Sequence, residues 1–194
     1  KRTDVQERYA SGILALDART GHKVWFYQTV HHDLWDMDVP AQPSLIDFRQ
    51  EDGTVIPALY APAKTGNIFV LDRRNGQLLV PAPELPVPQG AAQGDHVWAT
   101  QPFSQLTFRP KNRLTDGDMW GATMMDKIVC RIMFKKLRYD GPFTPPSVQG
   151  TLFFPCNLGM FEWGGLAAAP VRQVAVANPI AIAFAAPLVP RASA

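Results

Sequence analysis

The sequence predicts an all-β protein made of short strands, and three observations support this. Proline occurs 18 times and glycine 14 times, which disfavours long helices over most of the chain. Short alternating or apolar runs are bounded by turn residues, which is typical of strands. A strand–DxxxG–strand unit also occurs twice, with its aspartates at positions 17 and 72. Units that recur at roughly this spacing are typical of propeller blades. Two or three blades cannot close a ring, so either further blades lie outside this sequence or the fold is not a propeller.

Six runs are predicted as strands: 13–16, 23–27, 58–61, 67–71, 151–154 and 173–177. The segments 17–21 and 72–76 are predicted hairpin turns, because their glycines supply the positive φ that such turns need. A degenerate third copy of the unit is predicted over 165–174. Residues 124–137 have apolar side chains near helical spacing, which predicts one short packing helix with a solvated basic face. The Pro/Gly-rich and polar segment 81–118 is predicted to be a long loop excursion.

Composition excludes several classes of protein. Hydrophobic residues make up 46% of the chain and charged residues 19%, so the chain can form a core and is not disordered by composition. The net charge is +2 and no run of Lys and Arg is present, so no nucleic-acid partner is predicted. No apolar run reaches the length of a membrane span. Cys130 and Cys156 do not have the spacing of metal ligands, and they are either two thiols or one disulfide.

The stretch VHHDLWDMDVP, residues 30–40, combines histidines, acids and a tryptophan. The adjacent His31 and His32 point to opposite faces of an extended segment, and no HExxH or Cys/His spacing accompanies them, so a zinc site is disfavoured. A hard cation bound by carboxylates such as Asp33 or Asp36 fits better. No GxSxG motif supports a nucleophilic triad.

Two other interpretations of this stretch remain open on the residues alone. In the first, it is a polar loop whose aspartates cap turns and whose Trp35 packs inside. In the second, it is an acid/base site, because an aspartate beside an aromatic ring and near a cation can take a hydroxyl proton. Asp36 is the candidate for that base.

Several long motifs, taken together, favour one of these interpretations. They are GILALDARTGHKVWFYQTVHHDLWDMDVPAQPSL, YAPAKTGNIFVLDRRNG, VPAPELPVPQGAAQGD, DMWGATMMDKIVCRIMF, YDGPFTPPSVQGTLFFP and NLGMFEWGG. From about Ser11 to Arg191 the chain resembles the membrane-bound quinoprotein glucose dehydrogenase family, which uses pyrroloquinoline quinone (PQQ). The chain also resembles the quinate/shikimate dehydrogenases, which are close relatives of that family.

The resemblance implies an eight-bladed quinoprotein β-propeller, of which residues 1–194 form about two to three blades of the PQQ-binding domain. It implies an oxidoreductase at the periplasmic face of the bacterial inner membrane, held by an anchor that is not in this chain. The implied reaction is the oxidation of a sugar or polyol hydroxyl, foremost glucose to gluconolactone, with PQQ, Ca²⁺ or Mg²⁺, and ubiquinone as electron acceptor. Quinate or shikimate oxidation and a non-catalytic propeller scaffold are the alternatives. Because open blades expose edge strands, we expect this chain alone to aggregate or fold loosely and to be inactive.

The resemblance also implies roles for single residues. The LWD motif places the catalytic base, close to the divalent ion, at Asp36. The APAKTGN motif places a catalytic and cofactor-binding lysine at Lys64, where an ammonium would polarise the C5 carbonyl of PQQ. The VANP motif places a cofactor-binding amide at Asn178.

Further residues have supporting or substrate-binding roles in this interpretation. They are His32, Asp33 and Trp35. Glu162 and Trp163 either line the pore or dock between blades. Cys156 stands where family members usually have glycine, so we expect a disturbed turn there.

Overall fold

Small antiparallel sheets form most of the regular structure in residues 2–172 and 174–190, the part of the chain that this computed structural model describes. The strands are β1 (Gly12–Leu16), β2 (Lys23–Gln28), β3 (Ser44–Arg49), β4 (Val55–Pro62), β5 (Ile68–Asp72), β6 (Glu84–Pro86), β7 (Thr100–Pro102), β8 (Thr151–Phe153), β9 (Ala167–Ala169), β10 (Val174–Val176) and β11 (Phe184–Ala186). The helices are α1 (Asp4–Tyr9) and α2 (Met124–Lys136). The sheets are β1-β2, β3-β4-β5, β6-β7, β8-β11 and β9-β10, and all of their strand pairs are antiparallel.

Both predicted DxxxG turns form. In the first, the Asp17 carboxylate accepts hydrogen bonds from two backbone N–H groups of the turn, and Gly21 has φ +71°. In the second, the Asp72 carboxylate accepts from one backbone N–H, that of Arg74, and Gly76 has φ +76°. The first turn joins β1 and β2, whereas the chain after the second pairs only through an isolated bridge at Leu78. The predicted third copy forms the β9-β10 hairpin, although Gln173 lies outside the described residues.

A tryptophan joins the first two repeat units. Trp25 of β2 is 8% exposed, and its Nε1 donates to the carbonyl oxygen of Arg73, 3.1 Å away, in the second DxxxG turn. Its indole lies so close to Gly76 that a Cβ there would be 2.7 Å from the ring. Glycine at position 76 therefore serves both the positive φ and the close packing of the indole.

The sheet β3-β4-β5 is covered on both faces. Every residue of β5 is buried, and its side chains alternate between two clusters. Phe69 and Leu71 pack with residues of β1 and β2, whereas Ile68 and Val70 pack with Met160. A strand buried on both faces has a continuous apolar sequence, here IFVLD, rather than an alternating one.

The helix α2 begins and ends close to its predicted limits. The Oγ1 of Thr123 accepts from the backbone N–H of Asp126, whose carboxylate accepts from the N–H of Thr123, so a capping box starts the helix. No residue of α2 is buried, so the predicted packing of its apolar face is wrong for the described part of the chain. The helix α1 was not predicted. It also starts with a capping box, between Thr3 and Gln6.

The segment 81–118 is mostly irregular. It contains the strand pair β6-β7 and a short 3₁₀ turn at Asp116–Asp118. Pro86 ends β6, which has a single partner strand, and such an edge is where proline is tolerated.

Both cysteines are free thiols, so the disulfide alternative is wrong. Cys156 is buried without a left-handed backbone conformation, its N–H donates to Ile182 O, and its carbonyl accepts from Gly159 N. The expected disturbance of this turn is therefore not found. Among the described helices, neither has the length and apolar character that crossing a bilayer requires.

Candidate active site

One buried ammonium group lies among three carboxylates. Lys64 stands in the loop that joins β4 to β5, and its side chain is only 9% exposed. Its Nζ lies 2.9 Å from Oδ2 of Asp36, 3.0 Å from Oδ1 of Asp38 and 3.8 Å from Oε1 of Glu162. We call these four residues the lysine cluster.

Backbone contacts fix the position of Lys64. Its N–H donates to Asp38 O at 3.0 Å, and its carbonyl accepts from Met160 N at 2.9 Å. Gly159 has φ +78° and packs directly on the lysine, because a Cβ there would lie 2.4 Å from Lys64 Cγ. Gly66, with φ +83°, closes the same loop. The stem of Lys64 therefore packs directly against the segment that contains Gly159.

A buried aspartate orders the loop that carries Asp36. The Asp33 carboxylate accepts from Trp35 N at 2.9 Å, from Met37 N at 2.9 Å and from Ser11 Oγ at 2.8 Å. Asp36 then has the left-handed backbone conformation, with φ +64°, and its side chain is 67% exposed. Non-glycine residues adopt this conformation mainly where the surrounding structure imposes it. Here Asp33 imposes it and turns the Asp36 carboxylate towards Lys64 and solvent.

The charges of the lysine cluster are unequal. Burial opposes the charge of Lys64, but its hydrogen bond to Asp36 and its ion pair with Asp38 outweigh this effect, so the pKa of Lys64 is raised above its ordinary value. The lysine is therefore an ammonium at neutral pH. Three carboxylates surround this single positive charge, and Oδ1 of Asp38 is buried and makes no well-aligned hydrogen bond despite its ion-pair distance. Surplus carboxylate oxygens of this kind suit a hard dication such as Ca²⁺ or Mg²⁺.

The lysine cluster also fits a quinone cofactor. A desolvated, fixed ammonium can donate to a carbonyl oxygen and stabilise negative charge there. The exposed Asp36 beside it is a proton acceptor that a second molecule can reach.

The structure brings Asp36 and Lys64 into direct contact but leaves Asn178 outside the cluster. Asn178 is exposed and follows β10. Its segment is linked to the lysine through the backbone, because Ile180 N donates to Met160 O at 2.8 Å and Met160 N donates to Lys64 O.

The supporting residues point elsewhere. Trp35 is 3% exposed, and its Nε1 donates to Thr144 O at 2.7 Å within the core. The ring of His32 lies between Glu7 and Asp95, at 2.9 and 2.7 Å, neither of which belongs to the lysine cluster.

Two cluster members were not assigned a site role from the sequence. Asp38 stands two residues after Asp36 in WDMD, and this paired spacing was the available signal. The sequence allows a pore role or a docking role for Glu162, and the structure places it at ion-pair distance from Lys64.

Stacked small sheets joined by a docking tryptophan, with an ammonium held among carboxylates on an inter-strand loop, define a propeller-type β protein with a polar site. The family model described as PQQ: Glucose/ethanol/alcohol dehydrogenase, beta-propeller domain, matches residues 1–194. The chain belongs to this family, which confirms the predicted all-β propeller class.

Curated relatives agree with this assignment. The chain is 67% identical over 190 residues to the quinoprotein glucose dehydrogenase of Gluconobacter oxydans, covering 98% of this chain and 24% of the relative. It is also 67% identical over 190 residues to the quinoprotein glucose dehydrogenase of Escherichia coli, with the same coverage. A probable quinate dehydrogenase of Xanthomonas campestris is 44% identical over 191 residues, covering 98% of this chain and 24% of that protein. The chain thus spans about a quarter of the length of these relatives.

Proposed function

We propose that the protein containing this chain is a PQQ-dependent dehydrogenase that oxidises a sugar or polyol hydroxyl, foremost glucose to gluconolactone. The contact between Asp36 and Lys64, 2.9 Å apart, carries this proposal because it combines a proton acceptor and a permanent positive charge at one point. The two glucose dehydrogenases at 67% identity support the choice of substrate.

Asp36 acts as the general base in this proposal. Its carboxylate is exposed enough to reach a substrate hydroxyl, and its backbone is held by the Asp33 hydrogen bonds. Removal of a proton by a positioned carboxylate contributes roughly 10²–10⁴-fold to the rate. PQQ, when bound, would supply the acceptor for the hydride equivalent, one proton with two electrons, that leaves the substrate carbon as its carbonyl forms.

Lys64 supplies the positive charge. Its ammonium is buried and its aliphatic stem packs against Gly159, so it is already in place to stabilise negative charge that develops on a neighbouring oxygen. Asn178, whose exposed amide has both donors and an acceptor, contributes to holding the cofactor.

A divalent cation belongs to the same site. Asp36, Asp38 and Glu162 carry the oxygen ligands that Ca²⁺ and Mg²⁺ prefer, and they outnumber the one ammonium among them. Asp36 would bind the cation and would also face the substrate.

Three residues hold the loop that carries Asp36. Asp33 orders its backbone, Trp35 anchors it in the core, and His32 ties its start to α1 through Glu7. None of these three contacts requires the side chain to touch substrate.

The partners follow from the same proposal. The electrons pass from the site to ubiquinone, and the protein works at the periplasmic face of the bacterial inner membrane, held by an anchor outside this chain. The names of the relatives support the quinoprotein chemistry rather than these locations.

Quinate or shikimate oxidation is the second candidate. The probable quinate dehydrogenase at 44% identity matches the same length of chain as the glucose enzymes do. The higher identity to the glucose dehydrogenases favours glucose.

A reconstitution experiment tests the proposal. The full-length protein is freed of cofactor, titrated with PQQ in the presence of Ca²⁺ or Mg²⁺, and assayed with glucose and with quinate by reduction of an artificial dye. We expect turnover that requires both PQQ and the cation and that is faster with glucose. A protein that binds no PQQ and oxidises neither substrate would instead be a propeller scaffold.

A further inference from the structure

A second polar cluster lies outside the lysine cluster and shares no residue with it. The ligand atoms of His32, Asp95 and His96 all lie within 4.8 Å of one another. We propose that these three residues form a binding site for a zinc-class transition-metal dication. The proposal does not depend on the proposed dehydrogenase function.

The three side chains offer two imidazoles and one carboxylate. His32 Nε2 lies 2.7 Å from Oδ1 of Asp95, and the Nδ1 of His96 lies 3.8 Å from the same oxygen. Two imidazole nitrogens with a carboxylate oxygen are a common donor set for Zn²⁺, whereas Ca²⁺ and Mg²⁺ prefer oxygen ligands alone. This cluster and the lysine cluster should therefore select different ions.

The orientation of His32 is set by an acid behind it. Its Nδ1 lies 2.9 Å from Oε1 of Glu7, and its side chain is 9% exposed. With the Nδ1–H donated to Glu7, Nε2 is the ring nitrogen left to bind an ion, which would replace the 2.7 Å hydrogen bond between Nε2 and Asp95. A carboxylate that fixes the tautomer of a metal-binding histidine in this way is a recurrent outer contact of metal sites.

Backbone geometry adds a separate observation. His32 has φ +43°, a left-handed conformation that a non-glycine residue adopts at a cost. The imidazoles of His32 and His96 stack at 3.9 Å with an interplanar angle of 26°.

The local charge favours a cation. Asp4, Glu7 and Asp95 line the open cavity beside the two histidines, and Arg2 is the one basic side chain among its lining residues in the described chain. A dication placed between the histidines and Asp95 would meet more negative than positive charge.

The site would connect three parts of the chain. His32 follows β2, Glu7 belongs to α1, and Asp95 and His96 lie in the connection from β6 to β7. A bound ion would fasten the loop that leads to Asp36 onto these two neighbours, so we assign it a role in holding that loop.

Zn²⁺ binding to the chelator-treated full-length protein tests the proposal. The titration is followed calorimetrically with Ca²⁺ or Mg²⁺ kept in excess, so that the lysine cluster does not compete. We expect one Zn²⁺ at micromolar affinity or tighter, and Co²⁺ should give the visible absorption bands of a low-coordinate site.

Three variants test which residues bind the Zn²⁺ ion. His96→Ala removes an exposed ligand and should abolish this binding, and Glu7→Gln should weaken it by about 10- to 100-fold, the usual cost of losing an outer-shell partner. His22→Ala, an exposed histidine outside the cluster, should bind as the wild type does. Wild-type protein that takes up no Zn²⁺, or His96→Ala protein that binds it unchanged, would overturn the assignment.

Discussion

The packing of Gly159 against Lys64 makes the sharpest prediction about the site. Alanine at position 159 must place its Cβ 2.4 Å from Cγ, 2.5 Å from Cβ and 2.6 Å from Cα of Lys64. Cβ atoms do not approach other atoms so closely, and the Cα atom cannot move aside without shifting the loop. Gly159→Ala should therefore displace the ammonium from Asp36 and Asp38.

The expected loss of stability has two parts. A left-handed conformation, here φ +78°, costs an alanine about 1–2 kcal/mol. Forcing extra volume into a packed site costs about 1–3 kcal/mol more. We therefore expect Gly159→Ala to lower the free energy of unfolding by about 2–5 kcal/mol and to reduce dye-linked turnover sharply.

Two neighbouring glycines provide matched controls. Gly165 has φ +61°, but its added Cβ would meet nothing closer than Ala41 Cβ at 3.5 Å, so Gly165→Ala should show the conformational cost alone. Gly164 has open space around it and no left-handed φ, so Gly164→Ala should be neutral. In denaturant unfolding of the full-length proteins, the loss of stability should be largest in Gly159→Ala, smaller in Gly165→Ala and absent in Gly164→Ala. Equal losses in Gly159→Ala and Gly165→Ala, with full turnover in both, would refute the close packing of Lys64.

Three further predictions follow from single contacts. Because the folded-state pKa of Lys64 lies above its ordinary 10.5, the stability that its ion pairs contribute is complete below that pH and declines as the pH rises through the folded-state value. In urea unfolding, raising the pH from neutral to about pH 11 should thus lower the free energy of unfolding of the wild type more than that of Lys64→Met. Equal losses in the two proteins would contradict this. Trp25→Phe loses the hydrogen bond to the second repeat unit and should lower the free energy of unfolding by about 1–3 kcal/mol in the same assay; an unchanged value would contradict the docking role of Trp25. Asp33→Asn places an amide where three donors meet, so kcat should fall, but less than in Asp36→Asn. An unchanged kcat would show that Asp33 does not position Asp36.

Local patterns predicted the parts of the fold that depend on neighbouring residues. The DxxxG turns form because Asp17 and Asp72 cap them and Gly21 and Gly76 supply positive φ, all within five residues of chain. The helix α2 follows from its apolar spacing in the same way. The strand β3, in contrast, was missed, and it is held by its long pairing with β4.

The site could be predicted only in part, because its contacts are distant in sequence. Asp36 and Lys64 were identified through family motifs, and no local pattern indicates that they meet. Glu162 reaches the lysine from a segment that packs behind β5, so its place depends on the folded core. The opposite roles of Asp33 and Asp36, one buried and one exposed, likewise follow from the turn and not from residue type.

The most direct test of the central claim is a single-turnover measurement on the full-length protein loaded with PQQ and Ca²⁺ or Mg²⁺. Glucose is mixed with wild type, Asp36→Asn and Asp38→Asn, and reduction of the bound cofactor is followed by its absorbance. With Asp36 as the base, Asp36→Asn should bind PQQ but reduce it about 10²–10⁴-fold more slowly. Asp38→Asn, which changes a carboxylate on the same lysine, should be impaired less. Wild-type rates in Asp36→Asn protein would contradict the assignment of the base.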